Sequence, residues 1–172
     1  MVQDCGHVDV TDLMREWVEL GDREKNPYMR FVAYWVAFNM LYEGYKTNGR
    51  REYAAIWECY KAHKYSFDQY VPFNNNEVEI FMSDVATGLY KRDEDDPEEE
   101  CLKIKRNNRR ALLYAVYRVR CNFFHGNKRL GDETDRAFVA SGATIIRNYL
   151  GTLDFIPEAS NECLLPDSVL GC

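Results

Sequence analysis

Apolar positions recur at helical spacing along almost the whole chain, and no strand pattern of useful length interrupts them. In "NPYMRFVAYWVAFNMLYEGYK", Phe31, Tyr34, Trp35, Phe38, Leu41 and Tyr42 fall at i, i+3, i+4, i+7, i+10 and i+11, a broad stripe on one helix. Asn26 is a residue type that caps a helix start, and Pro27 has its φ preset for the first turn, so this helix should begin there. A shorter helix is expected before it, over roughly 11–20, capped by Asp9 or Thr11 and stopped by Gly21. Leu13, Trp17 and Leu20 form its apolar face. "REYAAIWECYKAHK" predicts a third helix through Tyr53, Ile56, Trp57 and Tyr60. "SFDQYVPFNNN" reads as a loop, and "EVEIFMSDVATGLYK" as a shorter helix after it.

A long helix is expected from about Glu98 to Phe124, with Leu112, Val116, Val119 and Phe123 on its core face. Gly126 and Gly131 break the chain. Asp132 then caps a last helix, "ETDRAFVASGATIIRNYLGTL", whose apolar residues include Phe138, Ile145, Tyr149 and Leu150. From residue 157 to 172 there is no period, and this tail is expected to be mobile. The expectation is an all-α, single-domain bundle of about five to six helices over residues 1–156.

With 172 residues, 46% hydrophobic and 14% aromatic, the chain can bury one continuous core. Its apolar runs are too short and too amphipathic to span a bilayer, so no membrane partner is expected. "MVQDCGHVDV" lacks the basic and apolar regions of a secretion signal. Val2 does not suit myristoylation, and Cys172 as the last residue cannot head a prenylation box. A cytoplasmic location follows as the expectation. Six cysteines (Cys5, Cys59, Cys101, Cys121, Cys163 and Cys172) lie far apart with no C-x-x-C pair, so free thiols and no metal site are expected.

The net charge of −6 conceals an uneven distribution. Residues 101–130 hold nine Lys or Arg and no Asp or Glu, while "DEDDPEEE" just upstream packs seven acids into eight residues. Acids at the start of the long helix and arginines toward its end suit the helix dipole. The overall balance argues against indiscriminate nucleic-acid coating, whereas one basic strip on an acidic body permits a local polyanion site.

"YRVRCNFFHGNKR" (117–129) concentrates the candidate chemistry. Arg118, Asn122 and His125 are spaced four and three apart and form a stripe flanking the core face, with Arg120 on the other flank. An imidazole can shuttle a proton near neutral pH, and guanidinium groups can offset charge developing on phosphoryl oxygens. No Asp or Glu cluster lies near enough in sequence to suggest metal-dependent cleavage. Nuclease chemistry here would therefore use the ribose 2′-OH as nucleophile and act on RNA. The same composition also serves as a plain helix terminus, since Arg and His followed by Gly satisfy the last carbonyls.

"RVRCNFFHGNK" resembles the signature of the HEPN superfamily (higher eukaryotes and prokaryotes nucleotide-binding domain), helical domains whose motif is Arg, four to six residues, then His. Arg120 to His125 matches with four intervening residues and Arg118 to His125 with six. Arg120 is taken as the motif arginine, with Arg118 as the alternative. "YWVAFNMLY" (34–42) resembles the W-x-A-F-N-x-L-Y helix of one bacterial branch, and "DRAFVASGATIIRNYL" (135–150) its closing helix, so the likeness spans about 27–152. The resemblance implies a bundle that dimerises, bringing the Arg and His of both subunits into a composite cleft that cleaves RNA. It also implies a role in toxin–antitoxin or phage-defence systems, some members pairing with a nucleotidyltransferase antitoxin. Other members bind without catalysis. The sequence departs from the family in one place: a polar residue, commonly Asn, usually follows the motif arginine, and here it is Cys121. Asn122 can supply the missing hydrogen-bonding group or brace the loop. On a helical wheel Arg120 and His125 stand roughly 140° apart, so they meet only if the helix unwinds near Phe124 or a second subunit contributes.

Lys105, Arg106, Arg109, Lys128 and Arg129 are the candidate RNA contacts, and "KIKRNNRR" (103–110) reads equally as a solvated helix face. Asn39 is expected to hydrogen-bond structurally inside the bundle, within reach of an approach to His125. His7 and His63 are expected to face solvent. Trp17, Trp35 and Trp57 are expected as core or dimer-interface anchors. Three functions remain open: a metal-independent ribonuclease working as a homodimer without a cofactor, a non-catalytic domain binding a nucleotide, RNA or protein, and a purely structural interaction module.

Overall fold

The computed structural model describes residues 9–47, 51–70, 76–82, 109–125, 131–154 and 156. Among them every regular element is a helix: α1 (Val10–Arg23), α2 (Pro27–Glu43), α3 (Glu52–Ala62), α4 (Lys64–Tyr70), α5 (Asn76–Met82), α6 (Arg109–Phe124) and α7 (Glu133–Leu150). The protein is an all-α bundle, and no described helix is long and apolar enough to cross a membrane. Residues 98–108, 126–130 and 157–172, on which parts of the long helix, the second basic group and the tail were expected, lie outside the described residues.

The expected caps are in place. Asp9 accepts from the Thr11 N–H at 2.9 Å, Asn26 from the Tyr28 N–H at 2.9 Å, and Asp132 from the Asp135 N–H at 3.0 Å. Each satisfies a donor that a helix start otherwise leaves without a partner.

Gly21 does not end α1, as its residue type suggests; the helix runs on to Arg23. A Cβ at Gly21 would lie 2.3 Å from Tyr34 Cε1, so the missing side chain is the space that the Tyr34 ring occupies. The fully buried positions of α1 are Met14, Val18 and Gly21; of the expected face, Trp17 packs partly buried against the core, Leu13 is half-buried and Leu20 is exposed.

α2 is the central helix and is buried almost all round, through Tyr28, Phe31, Ala33, Tyr34, Trp35, Ala37, Phe38 and Tyr42. α1 packs along one side of it and α7 along another. At Gly142 on α7 a Cβ would meet Phe31 at 3.1 Å and Val116 at 3.7 Å, which marks the junction of α2, α6 and α7. Aromatic rings run through this core in edge contacts, Trp35 to Phe38 at 5.5 Å, Phe38 to Tyr149 at 5.5 Å and Tyr149 to Phe67 at 4.8 Å. Each fully buried ring contributes about 1.5–3 kcal/mol relative to exposure, and edge contacts add to that.

A polar pin joins the ends of this packing. Arg147 on α7 is 5% exposed, and its Nε and Nη2 donate to Asp22 Oδ1 and Oδ2 at 2.7 and 2.9 Å. Tyr34 donates to the same carboxylate at 2.8 Å. Burial first, and the Asp22 contact after it, push the Tyr34 phenol well up.

Two expectations fail between residues 62 and 70. His63 does not face solvent: its N–H caps α3 on the Cys59 and Tyr60 carbonyls, both at 3.1 Å, and its ring Nε2 lies 3.0 Å from the Tyr45 hydroxyl. Beyond it residues 66–70, the first part of the expected loop, belong to the helix α4, started by the Phe67 N–H donating to the His63 carbonyl at 3.0 Å, and residues 71–75 lie outside the described residues. Phe67, fully buried, ties that short helix to Tyr60 and Tyr149.

Candidate functional site

α6 presents Leu112, Val116 and Val119 to the core, as their spacing predicts, while Phe123 is partly buried against Tyr28 and Phe31. That orientation decides where the motif residues go. Arg120 turns inward, toward α2 and α3. Its Nη1 lies 3.2 Å from Glu52 Oε2, and the two side chains are 26% and 24% exposed. Its guanidinium carbon stands 5.7 Å from the Trp35 ring centroid and 5.3 Å from that of Phe124. Burial opposes its charge, yet the Glu52 carboxylate and the Cys121 thiol outweigh burial and hold its pKa above the usual value.

Glu52 also receives the Tyr42 hydroxyl on Oε1, and the Tyr42 oxygen lies 2.5 Å from the Asn39 amide oxygen. A phenol has one proton, so it cannot donate to both. With the proton on the Glu52 side, the Asn39 amide must turn to offer its N–H₂ to the phenol oxygen, an exchange of two atoms of nearly the same shape. Burial and the Glu52 contact drive the Tyr42 phenol far up, so it stays a donor. Asn39 is thus engaged in structural hydrogen bonding, as expected.

Tyr117 closes the group. Burial, then the neighbouring Cys121 thiol, raises its phenol well above the ordinary value. Cys121, which stands where the HEPN motif commonly has Asn, thus acts on both Tyr117 and Arg120. Two donors in this region, Arg120 Nε and Trp35 Nε1, are buried with no hydrogen-bond acceptor among the described residues.

His125 stands at the end of α6, exposed, its N–H donating to the Cys121 carbonyl at 3.0 Å. Arg118 and Asn122 are half-buried on the same stripe, two turns and one turn earlier. Phe124, beside His125 and in contact with Arg120, is one of the few large apolar side chains left exposed. The arrangement holds one guanidinium in a fixed direction by a carboxylate and two rings, while the helix stays wound through His125 and so leaves that exposed imidazole on a different flank from Arg120.

Arg109 at the start of α6 is turned inward: Nε lies 3.2 Å from Asp68 Oδ1, Nη2 donates to the Asp68 carbonyl at 3.4 Å, and the guanidinium faces Phe67 at 5.8 Å. Burial lowers its pKa against the pull of Asp68. Lys105, Arg106, Lys128 and Arg129 lie outside the described residues. Among the described residues no three His, Cys, Asp or Glu side chains converge as metal ligands do.

Glu52 is the site residue that sequence spacing does not disclose. It lies far from the motif in sequence, at the first position of α3, where an acid reads as an ordinary dipole partner. No family model, curated protein or solved structure matches this chain at a significant level.

Proposed function

We propose that the protein is a metal-independent endoribonuclease of the HEPN kind, acting as a homodimer in defence or as the toxin of a pair with a nucleotidyltransferase antitoxin. The observation that carries this reading is an exposed His125 at the end of the helix that also holds Arg120, whose direction is fixed by Glu52, Trp35 and Phe124. Since the helix stays wound through His125, the two residues meet only across a dimer. His125 takes the proton from the ribose 2′-OH. The resulting oxygen attacks the adjacent phosphorus, and the 5′-oxygen leaves as the protonated imidazole of the second subunit's His125 gives it a proton. Arg120, or Arg118 from the stripe of His125, offsets the charge that builds on the phosphoryl oxygens. The second subunit supplies the opposing His and Arg across the cleft.

One observation favours a second reading, a non-catalytic domain that binds RNA, a nucleotide or a protein. Glu52 neutralises Arg120 in the isolated chain, which withholds the charge that cleavage requires.

Incubation of the wild type and His125→Ala with varied RNAs in excess EDTA separates the two. The nuclease reading expects 2′,3′-cyclic phosphate ends, intact DNA, and no cleavage by His125→Ala with its helical spectrum unchanged. Cleavage that survives His125→Ala removes the site. No cleavage by the wild type across those RNAs selects the binding domain.

A further inference from the structure

On the side of the bundle built by α3, α4 and the start of α6, two adjoining grooves of about 570 and 600 Å³ share Lys61, Lys64 and Asp68. Aromatic rings mark both. In the first, Trp57 is half-buried and braced by Tyr60, with ring centroids 4.8 Å apart and planes at 21°. The Arg110 guanidinium stands 5.6 Å from the Trp57 centroid, and the side chain is otherwise exposed. In the second, Tyr65 is 86% exposed, the most exposed large hydrophobic side chain described.

The charges are not balanced. Asp68 is taken by Arg109 at 3.2 Å, and Lys61 is paired with Glu58 at 2.6 Å. Lys64 and Arg110 have no carboxylate partner among the described residues, and both reach solvent. This is a local surplus of positive charge on a chain of net charge −6. A tyrosine ring left in water, when packing elsewhere buries nearly every aromatic, calls for a partner with a flat apolar face. Cations spaced between two rings call for that partner to be an anion as well.

We propose that these grooves bind single-stranded RNA, with phosphates on Arg110 and Lys64 and a base stacked on Tyr65. Trp57 holds Arg110 in position by the cation–π contact, so that its free donors point outward before a strand arrives. Cations that follow the backbone and rings that accept any base are the combination by which proteins hold single strands without reading sequence. The proposal rests on the RNA-directed reading above and assigns the strand a resting place on residues apart from the His125 site.

Binding is measured on His125→Ala protein, so that cleavage cannot contribute, with a fluorescein-labelled oligouridylate of roughly ten nucleotides. Tyr65→Ala is expected to weaken binding about tenfold and Tyr65→Phe to preserve it, because stacking needs the ring and not the hydroxyl. Lys64→Glu with Arg110→Glu should abolish binding at moderate salt. Lys64→Ala with Arg110→Ala should reduce the slope of log affinity against log salt by about 1.4, the value for two phosphates on a single strand. All these residues are exposed, so circular dichroism should show the fold unchanged. Affinity that Tyr65→Ala and the charge reversals leave unaltered overturns the proposal and leaves the nuclease reading standing. Equal affinity for a polyglutamate peptide, insensitive to Tyr65→Ala, also overturns it and marks a plain polyanion patch. Wild type that binds through Tyr65 yet never cleaves upholds the groove while the nuclease reading falls.

Discussion

Glu52 and Arg120 face each other across the α3–α6 contact, the carboxylate giving one oxygen to the guanidinium at 3.2 Å and the other to the Tyr42 hydroxyl. Glu52→Gln keeps a hydrogen-bond acceptor for Tyr42 and removes the charge. Because the pair is partly open to solvent, the stability cost should be about 1 kcal/mol or less. Glu52→Ala leaves both partners without an acceptor and should cost about 1–3 kcal/mol. Urea midpoints separate the two variants. If Arg120 serves catalysis, kcat should fall in both variants with KM little changed; equal cleavage by Glu52→Ala and wild type would confine Glu52 to a structural role.

Cys121→Asn replaces the thiol between Tyr117 and Arg120 with the amide that the family motif favours. RNA cleavage should be held or raised, since an amide offers both a donor and an acceptor where the thiol offers weak versions of each. A collapse of activity without unfolding would show that this pocket is fitted to sulfur.

Asp22→Ala takes the two-oxygen carboxylate contact from Arg147, which is 5% exposed, and removes the acceptor of Tyr34. The expected loss is about 2–4 kcal/mol, read as a lower midpoint in chemical denaturation. Asp22→Leu combined with Arg147→Met should recover much of it, because two apolar side chains leave no charge to satisfy. A double variant no better than Asp22→Ala would contradict that account.

Gly21→Ala would normally stabilise a helix by up to about 1 kcal/mol. Here the new Cβ meets Tyr34 Cε1 at 2.3 Å, and Tyr34 is fixed by its hydrogen bond to Asp22. Overpacking of about 1–3 kcal/mol should dominate, giving a net loss. A rise in thermal midpoint would mean that Tyr34 can move aside.

Alkali should destabilise the fold. Burial is the leading cause of raised phenol pKa values at Tyr34, Tyr42, Tyr53, Tyr60, Tyr117 and Tyr149, with Tyr53 and Tyr60 pushed up to about 12. Burial also pushes the Cys59 thiol up to about 11 from 9.0. In the unfolded chain these groups ionise near 10.0 and 9.0, before the folded ones do. The stability they confer is complete below those values and is lost as pH rises toward the folded ones. Urea midpoints should hold level from neutrality to about pH 9 and then fall. A midpoint still level at about pH 11 would show that these phenols ionise as easily folded as unfolded.

Much of the fold is legible in the sequence because its signals are local. Asn26 with Pro27, and Asp132, mark helix starts that depend on neighbours a few residues away. Where distant fit decides, local reading errs. On α1 the fully buried positions are Met14, Val18 and Gly21, because Tyr34 fills the space at Gly21, while Trp17 of the expected face packs only at the edge of the core and Leu20 is exposed. α4 escapes notice because one buried ring, Phe67, holds a short and otherwise polar segment. His63 looks solitary in sequence, and its partner Tyr45 is 18 residues away. At the site, the stripe of Arg118, Asn122 and His125 follows from helical spacing alone, whereas the restraint on Arg120 comes from Glu52, 68 residues upstream. Trp57, expected only as an anchor, also carries Arg110 on its surface.

The central position of α2 governs the order in which the chain can fold as it is made. α1 and α2 are neighbours in sequence and can pair early. The far side of α2 is covered by α7, whose Gly142 seats Phe31 and Val116 together. During synthesis α6 therefore leaves the ribosome before α7 exists, and can meet α2 and α3 but not its last neighbour. Glu52 and Trp35, the partners that hold Arg120, are already made by then. What waits for the end of the chain is the cover over Phe31 and Val116.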